Sequence, residues 1–137
     1  LGEKLNASGR GGATTKALKN KYTTDFLAAK AKYTVLQIGS NDSLSLTVAT
    51  FKMNLLELIG RVEENGSIPV LVTIPRRYDT DNTTFITEVN AWIKSLGYLY
   101  IDEYALLPAD RLLSDTIHPN AEGHDLILSN LLALIPV

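Results

Sequence analysis

Two polar segments of the chain contain side chains that could act as a base or stabilise a developing charge. Asp115 precedes His118 by three residues, and a carboxylate at that offset can orient an imidazole and stabilise its protonated form. Asn41, in the segment from Gly39 to Asp42, could donate a side-chain N–H to an oxyanion, while Asp42 could hold the loop. Asn and Asp just past a strand are the usual turn formers, so this segment taken alone is more often a simple turn.

A third segment, residues 8–15, contains Gly9, Gly11 and Gly12. Glycines adopt positive φ and let a backbone N–H point at a ligand. The cluster is also typical of a flexible turn, and it matches neither the dinucleotide-binding glycine pattern nor a P-loop.

With two histidines and no cysteine, the chain offers no ligand set for zinc or iron, and we expect no metal and no cofactor. Oxygen-only metal binding stays open, and so does a carboxylate pair among Asp42, Asp102 and Asp115, although no spacing selects one. His118 alone could cap the helix after it, and His124 is interpreted as a solvated surface residue.

Short apolar runs alternate with amphipathic stretches along the chain, which predicts an α/β fold built from parallel βαβ units. The predicted strands are residues 33–38, 69–74 and 98–101, with a weaker one at 4–7. The predicted helices are a broken helix over 14–32, one from 48 to about 65, one from 82 or 83 to 96, and one from 120 to 136. Ligand sites of open α/β sheets lie beyond the carboxyl ends of the strands, where the three polar segments fall.

Composition narrows the class of protein further. The chain has 137 residues, 45% of them hydrophobic and 20% charged, with a net charge of −2, which is typical of one globular domain. Its basic residues are scattered, so we expect no nucleic-acid partner. No apolar run approaches the roughly 20 residues that cross a bilayer, so we expect no membrane span. The absence of cysteine leaves both a secreted and a cytoplasmic location open.

Taken in order, the glycine segment ending at Gly12, the segment Gly39-Ser-Asn41-Asp42 and the segment Asp115-Thr-Ile-His118-Pro resemble three of the four signature blocks of the SGNH (GDSL-like) hydrolase family. The resemblance implies a three-layer α/β/α sandwich with a parallel flavodoxin-like sheet, and hydrolysis of acyl esters without a cofactor. It implies that His118 is the general base, that Asp115 orients it, and that Gly12 and Asn41 are oxyanion donors. Gly39 and Asp42 would support the loop. Gly9 aligns with an earlier glycine of the second block, and Gly11 is an alternative to Gly12.

The first block of that family, Gly-Asp-Ser with the nucleophilic serine, is absent from the chain, and no G-x-S-x-G elbow replaces it. Ser8, Ser40 and Ser43 lie in loops but lack the family's context, so the nucleophile is not assigned. We expect one SGNH-like domain over residues 1–137, N-terminally incomplete, whose first central strand and serine lie upstream of Leu1. A separate N-terminal fragment could supply both.

The leading functional hypothesis is a serine-type ester hydrolase with a Ser-His-Asp triad, acting on a small-molecule or carbohydrate acyl ester. The alternative is a non-catalytic SGNH-like carbohydrate-binding or assembly domain. A third hypothesis, a receiver-like signalling module, lacks the acidic pair expected after a first strand. The loop from Arg76 to Asp79 could border a pocket for a polar or acidic substrate, although two loop arginines are more often solvated.

Overall fold

The computed structural model describes residues 12–22, 24, 27, 28, 30–78, 82–112 and 118–135. Within them, one parallel sheet has the strand order β1-β2-β3, with β1 at Tyr33–Leu36, β2 at Ile68–Val72 and β3 at Leu99–Ile101. The apolar run of β2 is buried from its second residue onward, as expected for a central parallel strand covered on both faces. The predicted α/β class is confirmed, and the weak strand predicted at 4–7 lies outside the described residues.

The helices alternate with the strands along the chain. They are α1 (Thr15–Ala17), continued by a π-helical turn (Leu18–Tyr22); α2 (Asp42–Ser45); α3 (Val48–Glu64); α4 (Thr83–Ser95); α5 (Glu103–Leu106), followed by a 3₁₀ turn (Ala109–Arg111); and α6 (Ala121–Leu134). Asn120 caps α6 as predicted, because its side-chain oxygen accepts the N–H of Gly123 at 2.9 Å. Across the described part of the chain, no helix has the length and apolar character that a bilayer crossing requires.

The sheet lies between two helical layers, which confirms the predicted three-layer α/β/α sandwich. On one face, α3 and α4 pack on Leu36, Leu71 and Ile74 through apolar stripes of three- and four-residue spacing. On the other face, Val70, Val72 and Ile101 are covered by α5 and α6, whose contacting residues are Leu106, Leu131 and Leu134. Trp92 of α4, predicted in the core, is partly buried with its ring edge-on to Phe51.

Four strand ends differ from the prediction: β1 ends at Leu36 rather than at residue 38, β3 begins at Leu99 rather than at residue 98, and both ends of β2 are shifted. β2 ends at Val72 rather than at Ile74, because Asn90 of α4 pairs with both backbone groups of Ile74: its side-chain oxygen accepts the Ile74 N–H at 2.7 Å, and its amide donates to the Ile74 carbonyl at 2.8 Å. β2 also begins earlier, at Ile68. Pro69 is tolerated inside this central strand because pairing with β3 starts only at Val70, so no ladder hydrogen bond needs its missing N–H.

Candidate active site

A cleft of about 320 Å³ lies at the carboxyl ends of the three strands. Its walls come from the loops that follow β1, β2 and β3 and from two further segments, one before α1 and one before α6. Gly12, Asn41 and His118, three of the residues singled out in the sequence, line this same cleft, and Gly39 does so as well. Asp115 lies outside the described residues.

The loop after β1 is shaped by Gly39, which is buried with φ of 128°. A Cβ atom there would lie 2.7 Å from Ile74 Cδ1 and 2.8 Å from Phe51 Cε2. Both the positive φ and the close packing therefore require glycine at this position. The tight turn delivers Ser40 and Asn41 to the cleft wall.

Asp42 lies behind that wall, fully buried, and connects the loop to the start of α1. The Thr15 N–H donates to its two oxygens at 2.9 and 3.2 Å, and the Thr15 hydroxyl donates to the same carboxylate. Asn54 of α3 donates to that hydroxyl oxygen at 3.2 Å. Burial raises the pKa of Asp42, and the hydrogen bonds from Thr15 lower it in part.

Asn41 joins the loop after β1 to the segment that holds Gly12. Its side-chain amide donates to the carbonyl of Ala13 at 3.2 Å, which uses one of the two N–H groups of that amide. Gly12, the residue before Ala13, has φ of 72° and open space around its Cα. One hydrogen bond thus links Asn41 to the residue next to Gly12, the other predicted oxyanion donor.

His118 is an exposed residue at the mouth of the cleft, positioned by its neighbours along the chain. Pro119 forms an antiparallel bridge with Leu112, and the N–H of Asn120 donates to the carbonyl of Arg111 at 2.9 Å. The Cα of Gly123 in α6 approaches closely enough that a Cβ would lie 2.9 Å from Pro119 Cβ. His118 therefore belongs to a short segment that is held by these contacts against the start of α6. His124, one turn into α6, is exposed.

Two further cleft residues come from the loop after β2 and the start of α5. Arg77 donates to the carbonyl of Ser40 at 3.2 Å and to its hydroxyl at 3.1 Å, while Arg76 stacks on the Tyr104 ring at 4.3 Å. Glu103 is 1% exposed and lines the cleft floor. Its two oxygens accept from Gln37 Nε2 at 2.9 Å each.

Sequence reasoning missed the Gln37–Glu103 pair. Burial raises the pKa of Glu103 from 4.5 to about 7, with the hydrogen bond from Gln37 opposing the rise. The available signal was weak: Gln37 lies near the end of the predicted strand 33–38, and Glu103 comes two residues after the predicted strand 98–101. Asp102 was one of the three aspartates considered for a carboxylate pair. In the structure it caps α5 and accepts a hydrogen bond from the Thr73 hydroxyl at 3.0 Å.

The chain is similar to known proteins over most of its length. Residues 1–126 match the model of the GDSL-like Lipase/Acylhydrolase family. The uncharacterized lipoprotein YqeF of Bacillus subtilis (strain 168) is 36% identical over 76 residues, which is 50% of this chain and 31% of that protein, so the match spans about a third of the relative.

Several solved structures share the fold, and two of them illustrate it. A protein from Desulfitobacterium hafniense DCB-2, described as of the G-D-S-L lipolytic family, superposes with a TM-score of 0.78 at 24% identity, covering 90% of this chain and 77% of that one. An acetylxylan esterase from Geobacillus stearothermophilus superposes with a TM-score of 0.74 at 20% identity, covering 92% of this chain and 69% of that one.

Proposed function

The chain belongs to the GDSL-like lipase and acylhydrolase family, and from that membership we propose that it is a serine-type hydrolase of carboxylic esters. The observation that carries the proposal is the convergence of Gly12, Asn41 and His118, from three separate segments, on one cleft at the carboxyl ends of the strands. Two hydrogen-bond donors beside an imidazole suit the stabilisation of a tetrahedral oxyanion next to a base.

In the proposed reaction, His118 accepts the proton of the nucleophilic serine as its oxygen attacks the ester carbonyl. The backbone N–H of Gly12 and the second N–H of the Asn41 amide hold the oxyanion. His118 then protonates the leaving alcohol as the C–O bond breaks, which leaves an acyl-enzyme. Water attacks that ester, gives its proton to His118, and the proton returns to serine as the acid departs. Asp115 orients the imidazole throughout.

The nucleophilic serine is proposed to lie upstream of Leu1, on a strand that pairs with the open side of β1. Within the described residues, β1 pairs with β2 alone, and its Val35 is 39% exposed. A strand along this side would cover Val35 and end beside the cleft. The serine loop is supplied either by the same polypeptide or by a separate N-terminal fragment. Ser40 and Ser43 are already engaged with each other and with Arg77 or Asn82.

The proposed substrate is the ester of a small acyl group with a polar alcohol such as a sugar. The support comes from the cleft, where Arg77 and Asn41 present polar hydrogen-bonding groups at the wall and Glu103 with Gln37 forms a polar floor.

The test is ester hydrolysis by the native protein and two matched histidine variants. His118→Ala should lower kcat on 4-nitrophenyl acetate by about 100-fold or more, the usual contribution of a positioned base. His124→Ala removes an exposed imidazole six residues away and should leave kcat within about twofold. Full activity of His118→Ala would reject the proposal. Ligand binding by a native protein without any turnover would favour the non-catalytic carbohydrate-binding or assembly domain.

A further inference from the structure

Gln37 and Glu103 form a polar pair in the cleft that the proposed reaction does not use. Gln37 directly follows β1 and is exposed, whereas Glu103 begins α5 and is buried. The two residues reach each other across the end of β2, with Gln37 Nε2 2.9 Å from both Glu103 oxygens. One end of the Gln37 amide is therefore fixed to a buried group.

This contact sets the orientation of the Gln37 amide. An ionised carboxylate only accepts hydrogen bonds, so the NH₂ group of the amide must face Glu103 and the carbonyl oxygen must face away from it. Among the described residues, that oxygen has no hydrogen-bond partner. Because Gln37 lines the cleft, the pair presents a pre-oriented acceptor there.

An acceptor complements what the rest of the cleft offers. The two groups proposed to hold the ester carbonyl, the Gly12 N–H and the Asn41 amide, are donors, and so is the Arg77 guanidinium at the cleft wall. The ester group itself has only acceptors, so a donor that meets Gln37 has to come from the rest of the substrate. An alcohol part that carries additional hydroxyl groups supplies one.

We propose that Gln37 is a specificity-determining residue, whose side-chain carbonyl, held in place by Glu103, accepts a hydrogen bond from a hydroxyl on the alcohol part of the substrate. This inference rests on the proposed ester hydrolysis. Esters of apolar alcohols leave the Gln37 oxygen unpaired when they displace water from the cleft, and this makes them poorer substrates.

The test compares two acetates of similar ring size, a monoacetate of methyl glucopyranoside and cyclohexyl acetate. The measured quantity is the ratio of their kcat/KM values at about pH 8, where Glu103 is mostly ionised. Gln37→Leu keeps the side-chain bulk but removes the acceptor, and should lower the ratio by roughly 3- to 10-fold, the usual effect of one neutral hydrogen bond.

Glu103→Gln is the second variant, because Gln37→Leu leaves Glu103 without its partner and could fail to fold. A glutamine at 103 accepts either orientation of the Gln37 amide, so the ratio should fall, but less than in Gln37→Leu. An unchanged ratio in both variants would overturn the inference. So would an equal loss on both esters, since Gln37 would then serve the protein's own structure.

Binding of methyl glucopyranoside, followed by NMR titration, separates this inference from the proposed function. Its affinity should fall in Gln37→Leu whether or not the protein hydrolyses esters. A native protein that cleaves neither acetate refutes the proposed function, and the titration then decides on Gln37 by itself. Equal affinity of the native protein and Gln37→Leu for the sugar would overturn the specificity role.

Discussion

Glu103→Gln should make the free energy of unfolding less sensitive to rising pH. The Glu103 side chain is buried, and its only described hydrogen-bond partner is the Gln37 amide. Burial disfavours the charged form, so the folded protein holds the Glu103 proton to a higher pH than the unfolded chain does. Between the two pKa values the folded state binds more protons, and the free energy of unfolding therefore decreases as pH rises.

The size of this effect follows from the two pKa values. The pKa of Glu103 rises from 4.5 in the unfolded chain to about 7 in the folded protein. Because one pKa unit corresponds to about 1.4 kcal/mol, ionising Glu103 lowers the free energy of unfolding by roughly 3 kcal/mol above pH 7. The variant has the same shape and no charge to bury. It should match the native protein near pH 4 and be more stable by roughly 3 kcal/mol at about pH 8.

Urea denaturation of both proteins at several pH values between 4 and 8 measures the difference directly. Other titrating groups, including Asp42 with its raised pKa, are present in both proteins, so their contributions cancel in the difference. A stability difference that stays constant across this range would mean that Glu103 ionises equally easily in the folded and unfolded states, which contradicts its raised pKa in the folded protein.

Three further substitutions test how the cleft is built, and a fourth, Gly60→Ala, is a control outside it. Gly123→Ala should displace Pro119 and the neighbouring His118, and so lower kcat by about 10-fold or more. Gly60 lies in a helix with open space where a Cβ would be placed, so Gly60→Ala should raise the free energy of unfolding by about 0.5–1 kcal/mol in urea denaturation. Gly39→Ala should lower the free energy of unfolding by about 2–4 kcal/mol, because a Cβ clashes there and φ is positive. Asp42→Asn should lower the free energy of unfolding by about 1–3 kcal/mol in the same measurement, since it weakens the buried hydrogen bonds between residue 42 and Thr15. Unchanged unfolding curves for Gly39→Ala and Asp42→Asn would contradict these two predictions.

Hydrophobic periodicity was sufficient to predict the α/β class, whereas the three-layer arrangement was implied by the family resemblance. The stripe of α3, from Phe51 to Val62, packs on the sheet as its spacing predicts, and Asn120 begins α6 as its capping chemistry predicts. The position of ligand sites at strand ends in open α/β sheets was enough to expect that Asn41 and His118 would lie near one cleft.

Contacts between distant side chains could not be predicted in the same way. Gln37 and Glu103 are 66 residues apart, and neither has a local pattern that points to the other. Asn90 lies on the buried side of a helix, where sequence reasoning expects apolar residues, and only the packed structure shows that it satisfies the backbone of Ile74. The predicted end of β2 was wrong by two residues for this reason.

Fluorophosphonate labelling of the native preparation, followed by denaturing mass analysis of every polypeptide present, shows whether the protein uses a nucleophilic serine and where that serine lies. A fluorophosphonate reacts with a serine that a neighbouring base has activated. We expect one covalent adduct, on a serine upstream of Leu1, and much slower labelling of His118→Ala. The absence of an adduct on any polypeptide of an otherwise folded preparation would contradict the proposal of a serine hydrolase. An adduct on Ser40 or Ser43 would contradict the upstream position of the nucleophile.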